Sequence, residues 1–544
     1  MRTFIQLFFC ITIFCNISCK QKVDVIFTNA YMYNSDSAKA FSKCFAVKNG
    51  KIILVGDSNQ ILNNYKCNTI VNLQNKFVYP SFNDAHCHFV GYAGDMFKCQ
   101  LYNTSSFEEV IERLLKYADT TSTEFIYGRG WNQNDWKEKN FPNNVLLNKN
   151  FSTKIVFLKR IDGHAALINQ ALIKQAHDVL MPFMNTSYVE KKNGKLTGII
   201  FDNAMDAVEN MLPKIPRSSL IKNIIRAQQD CLALGITSVS DAGLSYDEIQ
   251  LIDSLQKCNV LKLKINAMLM AKAENLKKFE SHPINNTSLL KVQSLKVYCD
   301  GALGSRGACL KNPYQDDPTN YGKINISKAE FDQICEWAIK HNFQVCAHAI
   351  GDSTVSFVLQ SYKKFLQPNN NLRWRVEHVQ VCSPNDIQTF NTYNIIASVQ
   401  PTHATSDMYW AADRLGVERI RNAYLLGTLL KNNVSIALGT DFPVEYLQPL
   451  YTFYAAVSRK DSKQFPALGF QMKDALSRHQ ALLGITSWPA YAEFSENEKG
   501  KLEANHAADF VVCDFNLLKD APINIRNSDL NATYVNGKLQ WCKK

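Results

Sequence analysis

Tyr79-Pro-Ser-Phe-Asn-Asp-Ala-His-Cys-His-Phe89 ends an apolar run with two histidines one residue apart. On a strand, residues i and i+2 share a face. His86 and His88 therefore point together into one cavity while Cys87 faces away, which is how a strand end offers two imidazoles to a metal ion. By themselves, two such histidines are equally consistent with ordinary polar residues. Further along the chain, Lys296, His348, His378 and Asp441 each close another strand-like run.

Around this stretch, from about Pro80 to Ala490, short apolar runs alternate with helical stretches, the signature of a parallel α/β fold. Eight strand candidates follow one another: Phe77–His88, Gly235–Ala242, Lys262–Met270, Leu295–Asp300, Gln344–Ala349, Arg373–His378, Ile395–Gln400 and Val434–Gly439. That number suits a distorted (β/α)8 (TIM) barrel over residues 80–490. About 145 residues separate the first two candidates, far more than one helix needs, so an insertion is expected at about 100–220. It contains Asp162-Gly-His164 and the hairpin-like Lys192-Asn-Gly-Lys195.

Both chain ends read as β-structure. Val23–Val78 offers short β-like runs around Asn49-Gly50, and Ala508–Asp514 and Ala532–Trp541 offer more around a second Asn-Gly pair. Residues 19–79 and 491–544 are thus expected to form one composite β-sandwich beside the barrel.

With 544 residues, 46% hydrophobic and 20% charged, the chain is globular and long enough for more than one domain. Its net charge of +11 is dispersed, and pairs such as Lys191-Lys192 and Lys363-Lys364 stand isolated, which excludes a nucleic-acid groove. Sixteen cysteines include no CxxC pair, and most, such as Cys231, Cys299 and Cys346, sit alone in apolar surroundings as buried thiols do. Residues 1–18 read as a secretory signal, with Arg2 before an apolar core from Phe4 to Phe14 that is too short to span a bilayer. Ser18-Cys19-Lys20 resembles a bacterial lipoprotein cleavage site, so Cys19 is expected to be lipidated and to hold an exported protein on the cell envelope. Asn16 stands where that motif usually carries an apolar residue, which leaves simple cleavage and release, periplasmic or secreted, open.

Reacting groups in such barrels sit at strand ends. His86, His88, Lys296, His348, His378 and Asp441 make a metal set: four imidazoles and a carboxylate suit zinc, and two ions share them better than one. A buried lysine has a lowered pKa. Neutral Lys296 could add carbon dioxide, and the resulting carbamate could bridge two ions; the bland alternative pairs Lys296 with Asp300.

The chain resembles the metal-dependent amidohydrolase superfamily, in its amidohydrolase 3 branch, which includes N-substituted formamide deformylase-like proteins. The resemblance rests on Pro80-Ser-Phe-Asn-Asp-Ala-His-Cys-His-Phe, Asp162-Gly-His-Ala-Ala, Lys296-Val-Tyr-Cys-Asp-Gly-Ala-Leu-Gly-Ser-Arg-Gly-Ala, His348-Ala-Ile-Gly-Asp, Arg375-Val-Glu-His-Val-Gln, Val399-Gln-Pro-Thr-His-Ala-Thr-Ser-Asp-Met and Gly439-Thr-Asp-Phe-Pro-Val-Glu. It implies that the six strand-end residues are the metal positions, with Lys296 as its carbamate, and that His164, Arg306 and His403 touch substrate; for His403 a plain loop histidine is the alternative. The implied reaction is hydrolysis of a non-peptide, amide-like C–N bond in a small molecule by metal-held hydroxide, with Asp441 as general base and then acid. The same site would serve a deaminase or an ester or lactone hydrolase, and a non-catalytic surface-binding lipoprotein is the rival of another class. No nucleic-acid partner is expected, membrane contact is expected only through the lipid, and a homodimer stays open.

Overall fold

The computed structural model describes residues 20–33, 41–120, 125–214 and 216–544, so the expected signal segment and Cys19 lie outside the described residues. All eight expected runs are strands: β1 (Phe82–Cys87), β2 (Ile236–Leu244), β3 (Lys264–Met270), β4 (Leu290–Tyr298), β5 (Gln344–Ala349), β6 (Arg375–His378), β7 (Ile396–Val399) and β8 (Ile436–Leu438). They lie side by side in chain order, each parallel to the next. β1 and β5 to β8 are buried along their whole length, as strands covered on both faces must be. Crossover helices supply the cover. In the helix Asp352–Phe365, Val355, Val358, Leu359 and Tyr362 recur at helical spacing and are buried. Tyr362 also donates its hydroxyl to the Arg375 carbonyl at 3.0 Å, tying this helix to β6.

The barrel closes just beyond the strand ends. Asp441 N–H donates to His86 O and His88 N–H to Phe442 O, each at 2.8 Å. Gly439 allows this approach, since a Cβ there would stand 2.6 Å from His86 N. Asp84 stitches the same seam, accepting the Thr440 N–H (3.0 Å) and hydroxyl (2.7 Å) and the His86 N–H (3.2 Å). Three of the expected site residues therefore lie on the closing seam.

Between β1 and β2 stands a six-stranded mixed sheet that includes Phe125–Trp131, Ile155–Arg160, Ala165–Ile168 and the hairpin Val189–Lys192/Lys195–Phe201. Asn193 and Gly194 both take positive φ (51° and 74°), the type I′ geometry that an Asn-Gly pair favours.

The chain ends meet in one seven-stranded sheet, where Phe510–Cys513 runs antiparallel to Thr69–Pro80. The strands expected as a sandwich are hydrogen-bonded into this single sheet. It coils until the Phe45 and Phe510 rings lie 5.2 Å apart, although two strands separate theirs in the sheet. Phe27, Phe45, Phe510 and Tyr534 fill the enclosed core. Among the described residues the cysteines are free and most are buried, and no helix is long and apolar enough to cross a membrane.

Candidate metal centre

His86, His88, Lys296, His348, His378 and Asp441 come together at one end of the barrel. His86 is fully buried, and its Nδ1 donates to Glu377 Oε2 at 2.5 Å. Glu377 is gripped by the equally buried Arg375, Nε to Oε1 at 2.7 Å and Nη2 to Oε2 at 2.9 Å. A carboxylate on Nδ1 leaves the Nε2 lone pair free, and this Nε2 stands 3.3 Å from Lys296 Nζ and 3.7 Å from Asp441 Oδ1. The same logic repeats. His88 donates Nδ1–H to the Ala242 carbonyl (3.0 Å) and turns Nε2 to Asp441 Oδ1 (3.2 Å), while His378 donates Nδ1–H to Gln400 Oε1 (2.9 Å).

Two groups of donor atoms share Asp441: His86, His88 and Asp441, and His378, His403 and Asp441, each with its atoms within 4.8 Å of one another. His348 packs its ring 4.5 Å from that of His378. Burial, reinforced by Lys296 for His86, by His378 for His348 and by His86 for His378, holds all three imidazoles well below their usual range, hence neutral. Burial likewise lowers Lys296. Despite its burial, Asp441 is held below the usual carboxylate range and stays ionised, with His88 Nε2 at 3.2 Å, His403 Nε2 at 3.6 Å and His86 Nε2 at 3.7 Å around it. His348 Nε2, His403 Nε2 and Asp441 Oδ1 are buried without a hydrogen-bond partner. Imidazoles on two sides of an ionised carboxylate, one of whose buried oxygens has no hydrogen-bond partner, fit divalent cations.

Backbone strain collects here too. His378 (φ 74°) and Asp441 (φ 62°) occupy the left-handed region that side chains other than Gly seldom adopt. Lys296 is not paired with Asp300, whose carboxylate instead accepts the N–H groups of Ile350, Gly351 and Cys309 at 3.0 Å each and so holds the loop that follows His348.

A cavity of about 1260 Å³ opens onto this centre, lined by strand-end loops and by the inserted sheet. His164 lines it, donating Nδ1–H to Asp202 at 2.8 Å with its ring 4.9 Å from that of His348. His403 lines it as well. Its Nδ1 accepts from the Gln380 amide at 3.0 Å, which leaves the proton on Nε2, a donor's tautomer rather than a ligand's. Arg306 does not join them. Its guanidinium is held by Asp316 at 3.1 and 2.9 Å, outside the cavity wall, and Arg129 and Arg160 of the inserted sheet line the cavity instead. Sequence reading passed over Arg375, Glu377, Asp84 and Gln400. The first three stand within three residues of a strand-end histidine, and that spacing was the available signal.

The sequence profile described as "Amidohydrolase family" matches residues 69–539. Protein LONG AFTER FAR-RED 3 of Arabidopsis thaliana is 30% identical over 95% of this chain and 91% of its own length. N-substituted formamide deformylase of Arthrobacter pascens is 21% identical over 96% of this chain and 99% of its own. Among solved structures, an uncharacterized metal-dependent hydrolase from Pyrococcus horikoshii OT3 superposes with a TM-score of 0.74 at 26% identity, covering 92% of this chain and 99% of that one.

Proposed function

The chain belongs to the amidohydrolase family, and from that premise we propose that it hydrolyses an amide-like C–N bond in a small molecule. The observation that carries the reading is Asp441, an ionised carboxylate buried between two groups of imidazoles and lining a large cavity. His86, His88, Lys296, His348, His378 and Asp441 are the residues that would hold two divalent ions, with zinc suited to the donor set. Such ions, when bound, acidify a water to near neutrality and polarise a carbonyl.

The chain's own residues do the rest. Glu377 and the Ala242 carbonyl fix His86 and His88 in the tautomer that presents Nε2 to the centre. Asp441 takes the proton from the attacking water on a carboxylate oxygen and returns it to the leaving nitrogen, without which an amine is a poor leaving group. His403 Nε2–H faces the cavity as a donor to the substrate's oxygen, and His164, its Nδ1–H held by Asp202, lines the same cavity. Burial lowers the Lys296 pKa and so favours the free amine that would react with carbon dioxide; the resulting carbamate would offer carboxylate oxygens to the ions. An ester, a lactone or an exocyclic amine could leave from the same site, so the leaving group is decided by assay. Cys19 anchors the exported protein by lipid, and Cys19→Ala should shift it from the membrane to the soluble fraction.

The test is metal content together with turnover of a panel of N-acyl amines. Lys296→Ala should lose metal and activity together, with part of both returning on addition of short carboxylic acids. Full metal loading and full turnover in that variant would overturn the bridging role, and a protein that binds metal but cleaves nothing in the panel would favour the non-catalytic reading.

A further inference from the structure

One wall of the cavity is built from carboxylates without an ion-pair partner among the described residues. Asp407 ends the helix Pro401–Asp407 after β7, Glu445 stands in the loop four residues past Asp441, and Asp135 reaches in from the short turn Gln133–Asp135 of the insertion. Each has one oxygen engaged by a neutral donor: the Tyr424 hydroxyl on Asp407 at 2.9 Å, the Ser406 hydroxyl on Glu445 at 2.6 Å and the Asn132 amide on Asp135 at 2.9 Å. Among the described residues none of the three is ion-paired. Arg160, the guanidinium that faces Asp135 and Asp407, is already engaged by Asp162, Gln133 and Asn132. By contrast Asp95, Asp162 and Glu209, which line the same cavity, are each ion-paired, with Lys98, Arg160 and Lys159.

A second observation points the same way. Gln380 is only 7% exposed, lines this cavity, and leaves its amide oxygen without a partner. Its backbone carbonyl accepts the Tyr424 N–H at 2.8 Å, and the Tyr424 hydroxyl holds Asp407. The wall thus presents carboxyl oxygens that have no ion-pair partner among the described residues, beside one buried amide oxygen without a hydrogen bond. Burial pushes Asp407 well above the usual carboxylate range and Glu445 up to about 7, with repulsion from neighbouring carboxylates adding to both, so a cation seated beside them would favour their ionised forms.

We propose that Asp135, Asp407, Glu445 and Gln380 form a subsite for a protonated nitrogen, so that the substrate is an acylated amine carrying a second, cationic ammonium or guanidinium group. The inference rests on the hydrolase reading of the same cavity and adds the substrate class. Several N–H donors on a positive charge satisfy acceptors on three carboxylates and an amide at once, which a neutral alkyl tail cannot do.

The experiment compares mono-N-acetyl diaminobutane, diaminopentane and diaminohexane with neutral N-acetyl alkylamines and N-acetyl amino carboxylates of matching length, on the metal-loaded enzyme. The best cationic substrate should exceed its neutral match in kcat/KM by about tenfold or more, the share of one charge-assisted hydrogen bond, and the anionic match should be poorest. Asp407→Asn and Glu445→Gln, made singly and together, should pull the cation-to-neutral ratio towards one. Calorimetry with free diaminopentane gives a readout independent of turnover: binding should weaken in the variants and with added salt. Equal kcat/KM for cationic and neutral amides overturns the subsite while leaving the hydrolase reading intact. Diaminopentane binding that the variants abolish, with no amide of any charge cleaved, supports the subsite and overturns the hydrolase reading. Diaminopentane binding unchanged in the double variant overturns the subsite whatever the substrate.

Discussion

Glu377→Gln removes one charge and little volume from the pillar behind His86. The wild-type carboxylate accepts two hydrogen bonds from Arg375 and one from His86 Nδ1, with all three side chains sealed from water. The amide keeps one acceptor oxygen, and Arg375 retains the Ala85 carbonyl and the Ser398 hydroxyl, both at 2.7 Å. If the oxygen stays with Arg375, an N–H of the new amide faces His86 Nδ1 and pushes the imidazole proton to Nε2, the atom that faces the centre. Loss of a charge-assisted hydrogen bond is worth about 1.5–3 kcal/mol, which at about 1.4 kcal/mol per decade lowers metal affinity about ten- to a hundredfold, the range typical of groups that orient metal-bound histidines. Competition with a fluorescent chelator, on apo protein reloaded with zinc, measures this directly. Heat denaturation of the apo form separates it from general unfolding. Affinity within about threefold of wild type, in a protein that melts normally, would refute the idea that Glu377 sets the His86 tautomer.

Asp441→Asn should keep part of the metal while turnover falls by about a hundredfold or more, read from metal analysis beside steady-state rates; near-normal turnover would assign the proton to another group. Gly439→Ala places a Cβ 2.6 Å from His86 N and 2.8 Å from His86 O, so β8 must move off β1; overpacking of this kind costs about 1–3 kcal/mol, visible as a lowered denaturant midpoint together with weaker metal binding. Glu445 titrates in the folded chain at about 7, above its usual 4.5. The folded state therefore binds the extra proton between those values, and stability falls as pH rises through that window. Glu445→Gln should remove this part of the fall, so denaturation at pH values on either side of the window should show the variant gaining on wild type towards the alkaline side.

Strand-end chemistry was legible along the chain because period-two alternation states which residues share a face before any partner is known. His86 and His88 could be read as a pair from their spacing, and Asn193-Gly194 as a hairpin turn from its conformational preference alone. The eight runs were legible as short stretches rich in apolar residues between helical segments, although β1 and β6 also bury Asn83, Asp84, Arg375 and Glu377. What spacing cannot state is which distant face each residue meets. Arg375 and Glu377 are visibly on one side of β6, but the histidine they serve lies 291 residues from Glu377 and becomes its neighbour only when the barrel closes. The tertiary structure also pairs Asp300 with the loop after β5 rather than with Lys296, joins the strands of both chain ends in one sheet, and assembles a wall of carboxylates from residues 135, 407 and 445. Local sequence determined the donors and the directions they face, because strand and turn geometry are local. Their partners were decided by the tertiary structure, because hydrogen bonds and charge repulsion act across space between segments that the chain keeps far apart.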